Sequence, residues 1–353
     1  MTGPAPALAW ATLAAPADRF DFVEIHMGCE VRLHLWADDE SVARRAARAA
    51  FDRVKAWDDA LSDWKPDSPA MHLPQVAGEH ADVTGSLATA LAASRRFAEA
   101  TDGAFDPSLG ALTSLWRAAR RSGHAPSTDS LAAARARCGP ASWAFDASLG
   151  RFTALRDGVR MDFGGIGQGL AADDALSALR QSGCPSAMVD VSGDIAVGAP
   201  PPGAAGWRID IEPEFEGQPV ERLELHDCGV STSGDRAQRA SVDRRVVSHI
   251  LDPASGQPLE HPRQATVVAR DAVTADALAT ALCVLPSDRC GDLCARLGVT
   301  ARLDRAPQDG GVQALAGWSA LRRVSSCPAA APKAPEAPRP SPAPEASGPP
   351  CSR

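Results

Sequence analysis

Apolar positions along the chain change period several times, and each change marks an element. Residues 22–36, FVEIHMGCEVRLHLW, alternate in the manner of a half-buried strand, and residues 40–61 switch to a helical stripe of Val42, Ala46, Ala50, Val54 and Trp57. A second helix is predicted over roughly 85–100, stopped at Thr101-Asp102-Gly103, where glycine permits the backbone turn that ends a helix. From 186 onward the pattern shortens to strand-length runs: AMVDVSGDIAV, WRIDIE, VERLELHD, RRVVSHIL and QATVVAR. Two helices near 272–285 and 288–297 follow, then a strand VTARL. Strands in antiparallel succession with helices packed on them predict an α+β body, not a doubly wound α/β fold.

From Cys327 the chain reads CPAAAPKAPEAPRPSPAPEASGPPCSR, proline and alanine with nothing to bury, which predicts a disordered tail over 326–353. Residues 1–20 read as an N-terminal extension, and 21–325 as one body, since neither a repeat nor a Gly/Ser linker divides it. With 44% hydrophobic and 23% charged residues among 353, the composition is globular. A net charge of -8 argues against nucleic acid as the main partner, because phosphate backbones call for a basic footprint. Nine scattered cysteines with no C-x-x-C pair suggest neither a disulfide framework nor a zinc site. The opening MTGPAPALAWATLAAPADRF has no basic n-region or sustained apolar h-region, and nothing elsewhere reads as a membrane span, so the expectation is a soluble, cytoplasmic protein.

Chemistry is concentrated in four stretches. The helix at 272–285 is almost wholly apolar yet carries Asp276 and Thr280 one turn apart, so a carboxylate and a hydroxyl share a face. Such oxygens are hard-cation donors of the kind Mg²⁺ accepts; the plainer reading is an acidic residue favoured by the helix dipole. MDFGGIGQGLAADDAL, 161–176, reads as a short strand ending in Asp162, a glycine-rich turn and a helix. Its backbone N–H groups suit anionic oxygen, and it also serves as an ordinary strand-to-helix connection. It is neither a P-loop nor a dinucleotide fingerprint: glycines at 165 and 167 call for another at 170, where Leu170 stands. TDGAFDPSLG, 101–110, sets the Phe105 ring beside the Asp106 carboxylate in a turn that Pro107 keeps from being helical, as a flavin pocket or a plain loop would use. STSGD, 231–235, precedes SHILDP, 248–253, in which His249 and Asp252 flank a strand end. Imidazole suits a general base. A serine hydrolase lacks its G-x-S-x-G elbow here, and the remaining seven histidines have no metal-ligand spacing.

Taken in order, MG, SDWKPDS, TDGAFDPSLGALTSLW, MDFGGIGQGLAADDAL, VDVSGDI, STSG, SHILDPASGQP and TADALATAL resemble the ApbE family, the FAD:protein FMN transferases, over roughly residues 22–322. The resemblance implies a T-fold-like α+β body and Mg²⁺-dependent cleavage of FAD at its pyrophosphate. FMN then passes to a Ser or Thr hydroxyl of an acceptor flavoprotein as a phosphoester, and AMP leaves. It assigns the metal to Asp276, Thr280 and the carbonyls of Gly165 and Ala279. It assigns FAD contacts to Met27, Trp64, Ala104, Phe105, Asp106, Asp162, Gln168 and Leu251. His249 becomes the candidate base for the incoming hydroxyl, with Asp252 orienting it. Gln168 stands where relatives often carry a charged residue, and in a chain without tyrosine Trp64 offers a stacking face but no phenolic oxygen. Two alternatives use the same residues: hydrolysis of FAD to FMN and AMP, and FAD binding without catalysis.

Overall fold

Eight antiparallel strands form one sheet in which spatial order is also chain order: Asp18–His26, Cys29–Ala37, Ala187–Val191, Asp194–Val197, Cys228–Gly234, Arg263–Ala269, Thr300–Arg305 and Val312–Leu315. The structure, a computed structural model, describes residues 17–218, 220–236 and 239–324. The expected tail at 326–353 and most of the expected N-terminal extension lie outside them; the first strand already begins at Asp18. The run at 22–36 that reads as one strand belongs to a hairpin. Met27 and Gly28 both take positive φ, 53° and 73°, giving the two-residue turn whose twist matches antiparallel strands.

Seven helices are described: α1 (Glu40–Leu61), α2 (Gly85–Ala100), α3 (Gly110–Ser122), α4 (Thr128–Arg135), α5 (Gly167–Gln181), α6 (Ala272–Val284) and α7 (Ser287–Leu297). The first five occupy the long excursion between the second and third strands, together with a small sheet of His80–Asp82, Arg151–Ala154 and Trp143–Asp146. The α1 stripe is buried as its period predicts, and the helix opens on Asp39, whose side chain accepts the Val42 N–H at 2.9 Å. The predicted strand ending in Asp162 forms no ladder; the chain there is held by an isolated bridge between Leu109 and Arg160 and by the Asp162 N–H, which donates to the Pro107 carbonyl at 2.7 Å.

One sheet face presents Val31, Leu33, Leu35, Val189, Val191, Ala265 and Val267, all fully buried beneath a layer that includes α1, α5 and α6. The close packing of that layer depends on absent side chains. A Cβ on Gly229 would fall 2.2 Å from the Ala272 N, and one on Gly169 would fall 2.6 Å from the Ala272 carbonyl oxygen, so α6 starts hard against both a strand and α5. The opposite face carries the ribbon Trp207–Ile211/Glu221–Leu225 packed with Val197, Val230, Val268 and Trp318. A third cluster, built on Leu112 and Trp116 of α3, takes in Leu251; the Trp116 Nε1–H donates to the Gly256 carbonyl at 2.8 Å and ties the 248–258 segment down. No helix of the described residues is long and apolar enough to cross a membrane. The seven described cysteines are free thiols.

Candidate active site

Eleven of the thirteen residues of α6 are buried, so a carboxylate on this helix is withdrawn from water. Its N-terminal N–H groups are already taken. Asp271 accepts from the Thr274 N–H at 3.0 Å, and Asp173 of α5 accepts from Ala272 and Val273, each at 2.9 Å. The dipole account of Asp276 therefore fails, and its Oδ2 instead accepts the Gly169 N–H of α5 at 2.9 Å. Burial pushes the Asp276 carboxyl well above the carboxylate range, and Asp194 pushes it the same way. Asp194, buried as well, is raised to about 7 by burial although the Ser231 hydroxyl donates to it. Burial likewise lifts Asp173 to about 6. The groups acting on Asp194 and Asp276 are carboxylates and hydrogen-bond donors rather than cations.

Thr280, one turn along, brings its Oγ1 within 3.1 Å of the Ser233 Oγ. A Cβ on Gly165 would come to 2.9 Å from the same Oγ1, so the glycine turn rests directly on Thr280. Ala279 lies beside it, fully buried. Carboxylate, hydroxyl and turn backbone thus meet along α6. Among the described residues no group of three or more His, Cys, Asp or Glu could hold a metal ion. A cation here would rely on mixed oxygen donors, as a hard ion does and zinc does not.

Residues expected to touch a flavin nucleotide border this centre on the side of the glycine turn. The Met27 Cε lies 3.4 Å from where a Cβ on Gly167 would stand, and the Gln168 Nε2 reaches the Cys29 Sγ at 3.4 Å, so hairpin and α5 meet at their ends. Asp162 accepts the Gly164 N–H at 2.8 Å, which shapes the turn. Its other oxygen is 3.6 Å from Arg117, whose guanidinium pairs with Asp63 and lies 5.3 Å over the Trp64 ring. Trp64 is 72% exposed. The neighbouring cavity, about 150 Å³, is lined by Trp64, Arg117, Arg121, Arg160, Thr113 and Met161 among others.

The 104–106 run is buried. The Phe105 ring is 4% exposed and packs edge-on against Phe97, with centroids 6.4 Å apart, so it offers no open face for stacking. Asp106 is buried and accepts from the Ser108 N–H at 2.9 Å and hydroxyl at 2.6 Å; burial raises its pKa. Ala104 is buried beside them. Leu251 is a core residue, bridged to Pro258.

His249 does not face Asp252. The Asp252 oxygens accept from Ala254 N at 3.0 Å and from the Ser255 N and hydroxyl at 3.3 and 2.8 Å, closing the turn that follows. The carboxylate by His249 is Asp235, 3.6 Å from Nδ1 and itself bonded by the Ser248 hydroxyl. The hydrolase reading has no nucleophile: Ser231 and Ser233 are engaged with Asp194 and Thr280. Asp194, Ser233, Asp235 and Arg117 carried no assignment in the sequence. For two of them, Ser233 and Asp235, a signal existed, their alternation with Ser231, since residues two apart on a strand share a face.

Comparison with known proteins gives one answer. The ApbE family model matches residues 27–303. An FAD:protein FMN transferase from Klebsiella pneumoniae (strain 342) is 28% identical over 271 residues, covering 74% of this chain and 77% of its own. One from Chlamydia trachomatis serovar D is 30% identical over 252 residues, covering 69% and 76%. Among solved structures, the apo flavinyl transferase ApbE of Pseudomonas stutzeri superposes with a TM-score of 0.74 at 28% identity over 86% of this chain and 97% of that one. An ApbE protein from Thermotoga maritima reaches 0.78 at 25% identity, over 87% and 100%.

Proposed function

The chain belongs to the ApbE family, and from that premise we propose that it is an FAD:protein FMN transferase that requires Mg²⁺. The observation carrying this reading is the buried Asp276 carboxyl, in the field of the equally buried Asp194 and one helical turn from Thr280, on which the glycine turn rests. In this reading Asp276, Thr280 and the carbonyls of Gly165 and Ala279 hold Mg²⁺. The ion supplies Lewis-acid stabilisation of the negative charge that gathers as a pyrophosphate breaks.

The chain's own residues do the rest. Met27, Trp64, Asp162 and Gln168 hold the FAD, with Arg117 fixing Trp64 and Asp162, while the Ala104–Asp106 run and Leu251, whose side chains are buried, offer it backbone groups only. His249 accepts the proton of an acceptor Ser or Thr hydroxyl as its oxygen forms a bond to the FMN phosphorus. The bond from that phosphorus to the bridging oxygen breaks, and AMP carries the bridging oxygen away. Water in place of the hydroxyl would give FMN and AMP instead, so the acceptor is a flavoprotein that presents its hydroxyl while excluding solvent. Parallel measurement of AMP and of acceptor-bound flavin tests this. A one-to-one ratio supports transfer; AMP matched by free FMN identifies a pyrophosphatase; intact FAD leaves a binder.

A further inference from the structure

We propose that Asp235 is the positioning residue for His249, an inference that rests on the transferase reading above and adds to it. The strand Cys228–Gly234 leads into Asp235, and its alternation aims Ser231, Ser233 and Asp235 to one side. Ser231 bonds Asp194, Ser233 meets Thr280, and Asp235 meets the imidazole, so one strand edge sets the acidic centre and the base in a fixed relation.

The local hydrogen bonds have a direction. The Ile250 N–H donates to the Ser248 Oγ at 2.9 Å, which leaves the Ser248 hydroxyl to donate to Asp235. Asp235 is 2% exposed, and the Nδ1 of His249 is buried with no hydrogen-bond partner, 3.6 Å from the Asp235 Oδ1. A neutral imidazole acting as base must keep its Nε2 lone pair free, so its proton must sit on Nδ1. A carboxylate facing Nδ1 selects that tautomer and stabilises the imidazolium once the proton is taken. Catalytic hydrogen bonds are commonly long before substrate binds and tighten in the complex. Asp252 is not placed for the task, its oxygens being committed to the 254–255 turn.

The substitution Asp235→Asn keeps the acceptor for Ser248 and removes the charge. The expected result is a fall in kcat of at least ~100-fold with the KM for FAD unchanged, and no further loss when it is added to His249→Ala. A merely structural role would move KM and the melting temperature and would add to the His249→Ala loss. Should Asp235→Asn not fold, the wild-type protein still decides: ¹⁵N NMR of the neutral His249 ring is expected to show the proton on Nδ1, and a proton on Nε2 overturns the proposal. Asp235→Asn within threefold of parent while His249→Ala is inactive also overturns it and leaves the transferase reading intact. Parental transfer by His249→Ala refutes the base itself.

Discussion

Glycine at 169 is where fold and site depend on the same missing side chain, and the cost of filling it follows from the coordinates. A Cβ there would lie 2.6 Å from the Ala272 carbonyl oxygen and 2.8 Å from the Val273 Cα, backbone atoms at the capped start of α6 that cannot turn aside. Forcing α5 and α6 apart costs ~1–3 kcal/mol by overpacking. It also stretches the 2.9 Å bond from the Gly169 N–H to Asp276, and a buried donor left short of its acceptor costs ~1–3 kcal/mol. Against this, alanine gains ~0.8–1 kcal/mol of helix propensity. Gly169→Ala is thus expected to lose about 1–5 kcal/mol, read as a melting temperature lower by roughly 2–10 °C. Gly291 of α7 is the control, since a Cβ there meets nothing within 4 Å, and Gly291→Ala is expected to gain ~0.5–1 kcal/mol. Thermal melts of both variants without ligand decide the matter. A Gly169→Ala protein that melts at or above the parent refutes the close contact of α5 with α6 and the support it gives Asp276.

Three further outcomes are expected. Asp194 is raised from the ordinary 3.8 to about 7, so between those values the folded state holds a proton that the unfolded chain has released, and metal-free stability falls as pH rises from 4 to 7. Mg²⁺ replaces that proton's charge and is expected to raise the melting temperature more at pH 8 than at pH 5; a larger rise at pH 5 would contradict the site. Asp276→Asn keeps an acceptor for the Gly169 N–H and removes the carboxylate assigned to Mg²⁺, so it is expected to lose Mg²⁺-dependent transfer by at least ~100-fold; transfer within threefold of the parent would count against the site. Arg117→Ala deletes the stack on Trp64 and the pairs to Asp63 and Asp162, and the KM for FAD is expected to rise roughly three- to thirtyfold at constant kcat; an unchanged KM would remove Arg117 and Trp64 from the pocket.

What was legible in the sequence was local. The stripe of α1, the apolar run of α6 and the stop at Thr101-Asp102-Gly103 depend on residues within a turn or two of each other, and the elements fall where period and punctuation put them. The Asp276/Thr280 pair was visible for the same reason, being one helical turn apart. The hairpin at Met27-Gly28 was not, because methionine rarely takes the positive φ that the turn demands of it. The burial of Phe105, left open in the sequence between a flavin pocket and a plain loop, depends on Phe97, which nothing near it in sequence announces. Asp194 acquires meaning only through pairing across the sheet, where register decides that it meets the Ser231 hydroxyl, and Asp235 only because the chain returns at 248–249 to set an imidazole beside it. Asp252 misled because nearness in sequence to His249 stood in for nearness in space. Its own turn consumed the carboxylate.

The most direct test of the central claim is the intact mass of an acceptor flavoprotein domain after incubation with this protein, FAD and Mg²⁺, beside an Asp276→Ala control. The account predicts an added mass of one FMN that disappears when Mg²⁺ is chelated and in the control. An acceptor carrying FMN in equal yield with Asp276→Ala, or with Mg²⁺ removed, would contradict it.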